Sequence, residues 1–274
     1  MNAETGGRFA RDSRLADAGD GVFTGELSAG WAIGSVPNGG YVMGVACRAL
    51  SLALDLPHVA SVTGHYLAPT EAGPVRIETE ILRRGRRLST ATARLMQGGE
   101  ERVRFVGVFT DHTLNSGPDI EMGAAPELPV PEQCIPMAQL TPRHAAIHDQ
   151  LIARLDPVTA THWPDGDPST PAEVCAWLGF SDGAAPDVFS LPLFADALPP
   201  PIFRRVGFTG WVPTVELTVH VHRAPAPGLL RACFATSYVT GGLLHEDGRL
   251  WDSAGRLVAL SRQLAVLTPP RAAG

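Results

Sequence analysis

The sequence predicts an α+β fold made of two copies of one unit, and three observations carry that prediction. The run Tyr41–Leu54 is apolar on nearly every face, which marks a buried helix. Segments of alternating polarity separated by turn residues follow it, which marks antiparallel strands. The pattern then recurs with its turns in constant register: Pro69 matches Pro225, Gly85 matches Gly241 and Gly99 matches Gly255, all with one offset. Turns kept at a fixed spacing argue for internal duplication, with the two sheets joined.

In chain order, residues 1–20 are polar and read as a loose lead-in. Val22–Trp31 reads as a short strand and turn. Pro37-Asn38-Gly39-Gly40 is a turn that opens the helix, and Asp55 and Pro57 end it. The helix is too short to span a membrane, and no run of about 18 apolar residues exists elsewhere. Ala60–Leu67, Val75–Arg83, Leu88–Gln97 and Arg102–Thr110 read as strands, so the first unit covers 21–111. Residues 112–169 are rich in Pro, Gly, Asp and Glu and read as a connection, within which His144–Leu155 fits a short helix or a strand. The second unit covers 170–270. Thr170–Asp182 reads as a strand, and Asp187–Phe203 begins as a helix before Pro199-Pro200-Pro201. Thr214–Arg223, Leu229–Thr240, Leu244–Asp252 and Leu257–Leu267 are strands.

Composition narrows the function. The chain has 274 residues, a hydrophobic fraction of 45% and a net charge of −6. It can therefore bury a sizeable core. All 22 basic residues are Arg, dispersed among acids, which argues against nucleic acid as a partner. The absence of Lys removes Schiff-base chemistry. Cys47, Cys134, Cys175 and Cys233 are scattered with no Cys-x-x-Cys pair, so a reduced, cytoplasmic chain without signal peptide is expected. Cys47 lies in the apolar helix and reads as core filler. His220 and His222 stand two apart on one strand, but no third ligand is evident. No metal or cofactor is expected.

Three hydrogen-bonding residues interrupt apolar elements of the second unit: Asp196, Thr214 and Gln263. Burying such a group unpaired costs about 1–3 kcal/mol. Three that converge can satisfy one another around a water. Each also has an ordinary reading: Asp196 as a helix cap or turn residue, Thr214 as a strand threonine, Gln263 as a solvent-facing residue.

The order and spacing of these features resemble the type II acyl-CoA thioesterases, the TesB-like double hotdog proteins. The residues that carry the resemblance in the first half are Asn38-Gly39-Gly40, His65-Tyr66-Leu67-Ala68-Pro69, Leu82–Ser89 and Gln97. In the second half they are Asp196, Pro213-Thr214-Val215-Glu216-Leu217, His222-Arg223-Ala224-Pro225 and Gln263 after Gly255-Arg256-Leu257-Val258. The resemblance implies a tandem hotdog, two long helices each wrapped by an antiparallel sheet. It implies hydrolysis of acyl-CoA thioesters with no cofactor. It also implies that Asp196, Thr214 and Gln263 jointly hold a water.

Thioester hydrolysis needs a positioned water, a base and support for the developing oxyanion. Asp196 suits the base, and Thr214 and Gln263 suit orientation of the water. Backbone N–H groups at Gly39, Gly40 and Tyr41 suit the oxyanion, since a helix N-terminus carries partial positive charge. Asn38 opens that helix. This places the site between the halves. His65 and His222 occupy matching repeat positions, which favours a structural role, although His65 remains a substrate-binding candidate. Arg84 and Arg86, within the cluster Arg83–Arg87, are candidates for the phosphates of coenzyme A. Two other readings stay open: a hotdog dehydratase or hydratase using His65 or His222, and a non-catalytic acyl-thioester binding protein. Coenzyme A and acyl carrier protein are both eligible carriers, and homo-oligomers are compatible with the exposed sheet edges.

Overall fold

The structure is a computed structural model that describes residues 6–114, 116–141 and 144–267. Residues 1–5 of the expected lead-in and 268–270 of the expected second unit lie outside the described residues. The elements run α1 (Arg8–Asp12), β1 (Leu15–Gly19), β2 (Val22–Leu27), a two-stranded ribbon β3 (Ala32–Ile33) and β4 (Val36–Pro37), and α2 (Gly39–Leu54). Then come β5 (His58–Tyr66), β6 (Gly73–Arg83), β7 (Ser89–Gln97) and β8 (Glu100–Thr110). The second half holds β9 (Ile135–Pro136), β10 (Leu151–Leu155), β11 (Glu173–Phe180), α3 (Leu191–Ala195), α4 (Phe203–Val206), β12 (Thr214–Val221), β13 (Leu230–Thr240), β14 (Leu243–Trp251) and β15 (Leu257–Val266).

Thirteen strands form one antiparallel sheet in the order β1-β2-β6-β7-β8-β5-β12-β15-β14-β13-β11-β10-β9. The order is palindromic about the β5–β12 seam: β5-β8-β7-β6-β2 on one side answers β12-β15-β14-β13-β11 on the other. That is the architecture an internal duplication predicts. The seam pairs Val62 with Val219 and Thr63 with Thr218, whose hydroxyls hydrogen-bond at 2.8 Å.

Helix α2 is hydrophobic on nearly every side because strands β5–β8 cover one side of it and α3 packs on another. Tyr41, Met43, Ala46, Cys47 and Leu50 are fully enclosed. Asn38 caps its start, its side chain accepting the Tyr41 N–H at 2.9 Å. Asp55, left-handed with φ 55°, ends it. Two glycines let α3 approach α2. A Cβ on Gly40 would lie 2.2 Å from the Pro192 carbonyl oxygen, and one on Gly44 2.5 Å from that of Phe189.

Four expectations are corrected. The second helix is not long: α3 has 5 residues, because Pro199–Pro201 follow it and proline can neither donate a helical hydrogen bond nor avoid the preceding turn. The lead-in is not loose: Phe9 is buried, stacking on Phe180 and packing edge-on to Trp31 and Tyr41. The stretch 112–169 is more than a connection: β10 lies within His144–Leu155, where the sequence fits a short helix or a strand, and β9, which the sequence does not predict, extends the sheet beside it. The cysteines are not all free. Cys175 and Cys233 stand directly opposite on β11 and β13 and form a disulfide, while Cys47 and Cys134 are free and buried. Strand pairing brings together two cysteines that sequence spacing keeps apart.

Two outcomes check this packing. Thiol titration of denatured, unreduced protein should find two reactive cysteines, rising to four after reduction. Gly40→Ala should destabilise the fold by about 3 kcal/mol in chemical denaturation, since its methyl group meets backbone that cannot yield.

Candidate active site

The site is built where the N-terminus of α2 meets the end of α3. Helix α3 stops at Asp196, and the carboxylate is delivered onto the first turn of α2 from the other half of the chain. Asp196 Oδ2 accepts the Gly40 N–H at 2.9 Å and the Asn38 Nδ2–H at 2.9 Å. The Asn38 amide also donates to the Asp196 carbonyl at 2.8 Å. Asn38 therefore caps α2 with its oxygen and grips Asp196 with its nitrogen. Gly39 admits the carboxylate and the Tyr66 ring: its absent Cβ would lie 3.1 Å from each.

Burial pushes the Asp196 carboxyl up to about 6, and hydrogen bonds from Gly40, Asn38 and Gly39 hold it from rising further. Burial disfavours the anion, whereas N–H donors and the helix dipole favour it. The result is a carboxylate that is ionised at neutral pH yet basic enough to accept a proton.

Asp196 opens onto a cavity of about 600 Å³. Thr214 and Gln263 line the same cavity, and the Gln263 amide donates to the Thr214 hydroxyl. A register shift between Thr214 and Glu216 turns Thr214 inward, so that Val215 becomes the exposed residue. Bulges commonly re-aim a side chain in this way. No hydrogen bond joins Asp196 to Thr214 or Gln263; the three line one cavity. Much of the wall is apolar, with Ile33, Val36, Leu198, Phe203 and Val212 among its residues.

The remaining candidates divide. Asn38, Gly39 and Gly40 are at the site, but the Gly40 N–H serves Asp196 and the Tyr41 N–H serves Asn38, so neither is free for an oxyanion. The Tyr41 side chain points away: its hydroxyl donates to the Asp12 carbonyl and accepts the Ser28 N–H. His65 is exposed on the outer face of β5. Strand alternation turns its neighbour Tyr66 inward instead, and the Tyr66 hydroxyl donates to the Gly39 carbonyl at 2.8 Å. Arg84 is bound at the other end of α2, donating to the Leu54 and Ala53 carbonyls at 3.0 Å each. The 16 residues of α2 span about 24 Å, so Arg84 caps the helix a full length from Gly39. Arg86 is exposed near it. His220 and His222 are exposed as well. Among the described residues no group of three His, Cys, Asp or Glu could hold a metal ion, and no helix is long and apolar enough to cross a membrane.

One residue of the cavity escaped the sequence reading. Glu246 on β14 is 6% exposed and lines the cavity with Asp196. Its signal was present: Leu244, Glu246, Gly248 and Leu250 form the core-facing register of an alternating strand, and an acid does not belong there without a reason.

Comparisons with known proteins agree with this architecture. Residues 27–110 match the model of the acyl-CoA thioesterase N-terminal domain, and residues 131–267 match that of the C-terminal domain. The chain is 30% identical over 267 residues to an uncharacterised protein of Mycobacterium tuberculosis, covering 90% of this chain and 91% of that one. The structure of a Thermobifida fusca protein described as a thioesterase II is similar with a TM-score of 0.87 at 31% identity, covering 96% of this chain and 98% of that one. A hot dog fold protein of unknown function from Alicyclobacillus acidocaldarius superposes with a TM-score of 0.84 at 20% identity, covering 96% and 99%. With both halves matched by thioesterase domain models and the two-fold sheet built as a hotdog pair, this chain belongs to the acyl-CoA thioesterase family.

Proposed function

We propose that this enzyme hydrolyses acyl-CoA thioesters to the free acid and coenzyme A through a water held by Asp196, Thr214 and Gln263. The observation that carries the reading is the seating of Asp196: a carboxylate ionised at neutral pH, facing an apolar cavity that it shares with a hydroxyl–amide pair. Asp196 accepts a proton from the water. The Thr214 hydroxyl and the Gln263 amide orient the water's remaining hydrogen and lone pairs. The apolar wall receives the acyl chain and excludes bulk water, which strengthens each polar contact within.

Hydrolysis is preferred to dehydration because the histidines a dehydratase would use are misplaced. His65 and His222 face solvent, His144 in the cavity wall is largely exposed with its partner Asp149, and His148, half-buried in that wall, is engaged by the Ala145 N–H. A purely binding role leaves the position of the Asp196 carboxylate against an apolar cavity without purpose.

Asp196→Asn keeps the shape and removes the base, so kcat for acyl-CoA hydrolysis should fall about 10²–10⁴-fold in a free-thiol release assay. The active form is the anion. kcat/KM should therefore rise with pH through about 6 and level off above it. Asn38→Ala removes a hydrogen bond that favours the anion, so that rising limb should move to higher pH. A pH profile unmoved in this variant would refute the assignment of the limb to Asp196.

A further inference from the structure

We propose that Glu246 is the general acid of this site, its carboxyl group delivering a proton to the sulfur of the departing thiolate. The inference rests on the hydrolytic reading above and deepens it. Glu246 occupies a core-facing position on β14, directly opposite Gln263 on β15. The next pair along, Asp247 and Arg262, points to the other face and forms an ion pair at 2.7 Å. On the cavity side the acid faces a neutral amide instead. The residue is 6% exposed and lines the cavity, and no hydrogen bond to its carboxyl group is made within the described residues. An unpaired buried carboxyl costs stability and is not retained for packing.

Charge separates the roles of the two acids. Burial holds Glu246 well above the ordinary carboxylate range, and the negative charges of Asp196 and Asp247 push it further. Asp196 has N–H donors that Glu246 lacks. The other titratable groups around the cavity are Tyr66 from β5, and His144 and His148 from the turn that carries Ile147. Two carboxyl groups whose surroundings drive them apart are suited to act as base and acid. Both carboxyls are pushed upward by burial, but only Asp196 has N–H donors that favour its anion, so of the two Glu246 is the one that holds its proton to higher pH.

The steps balance. A water O–H bond breaks to Asp196 as the C–O bond forms, and the carbonyl electron pair moves to oxygen. On collapse that pair returns, the C–S bond breaks with its electrons on sulfur, and sulfur takes the Glu246 proton. The Glu246 carboxylate then regains a proton from Asp196, which restores both residues. Sulfur needs this proton because a thiolate leaving into an apolar cavity is poorly solvated, which raises its proton affinity above the ordinary thiol value.

The test compares wild type, Glu246→Gln and Asp196→Asn on an acyl-CoA and on an S-aryl thioester with the same acyl group. The aryl thiolate leaves readily without protonation. Glu246→Gln should lower kcat on acyl-CoA about 100-fold, with KM and the S-aryl rate within about threefold of wild type. The substitution is isosteric and removes a buried acid, so the fold is kept. Full activity of Glu246→Gln on acyl-CoA, beside an inactive Asp196→Asn, would overturn the proposal and leave the hydrolytic reading standing. Equal losses on both esters would overturn it too, marking Glu246 as a shape-determining residue. A wild-type protein that hydrolyses neither ester would remove both readings together.

Discussion

The structure depends on one carboxylate held at one helix end. Asp196 comes from the second half of the chain and sits on the first turn of α2, the one long helix among the described residues, which belongs to the first half. The contact requires glycine at position 40, because a Cβ there would strike the backbone of α3, and glycine at 39 leaves the Asp196 carboxylate and the Tyr66 ring room to close on the helix end. It requires asparagine at 38, because one side chain must accept from the helix and donate to the acid. It also requires α3 to end where it does. The proline run that shortens the second helix therefore has a use: it releases the chain at Asp196 and leads it back along the cavity wall.

The duplication holds through five strands on each side of the seam and is broken in the layer that covers the sheet. The β5–β12 seam joins two matching five-strand arrays, yet one half carries a helix of 16 residues and the other a helix of 5. The repeat offset carries Thr214 onto His58 and Gln263 onto Gly107. At Gly107 the space is already filled, since a Cβ would lie 2.7 Å from the Phe109 ring and 3.0 Å from Leu50. The counterpart position has been given to core packing. One asymmetric site remains, with the helix end supplied by one copy and three adjacent strands, β12, β15 and β14, by the other.

Those strands and β5 divide their faces by simple alternation, and that rule decides which of the expected residues reach the cavity. His65 and Tyr66 are neighbours; the one that looked functional faces solvent and the one beside it faces the cavity. Glu246 and Asp247 are neighbours too, and only the outward member meets an arginine. Arg84, which looked like a phosphate ligand, satisfies the last carbonyls of α2, a standing need of any helix C-terminus. A residue type in a motif states what chemistry is available. The face it occupies decides whether that chemistry is used.

What the sequence determined by itself was the local and periodic part: the buried helix and its Asn38 start, the alternating strands, the constant offset between halves, and the choice of Asp196, Thr214 and Gln263 as polar groups in apolar elements. These follow from hydrophobic period and turn chemistry, which act over a few residues. Tertiary structure alone decided the rest. Cys175 meets Cys233 only once β11 pairs with β13. Thr214 faces inward only because a bulge shifts its register. The Gly40 N–H serves Asp196 rather than a free oxyanion only because α3 docks there. Each of these joins residues far apart in the chain, and no pattern along the chain encodes the distance between them in space.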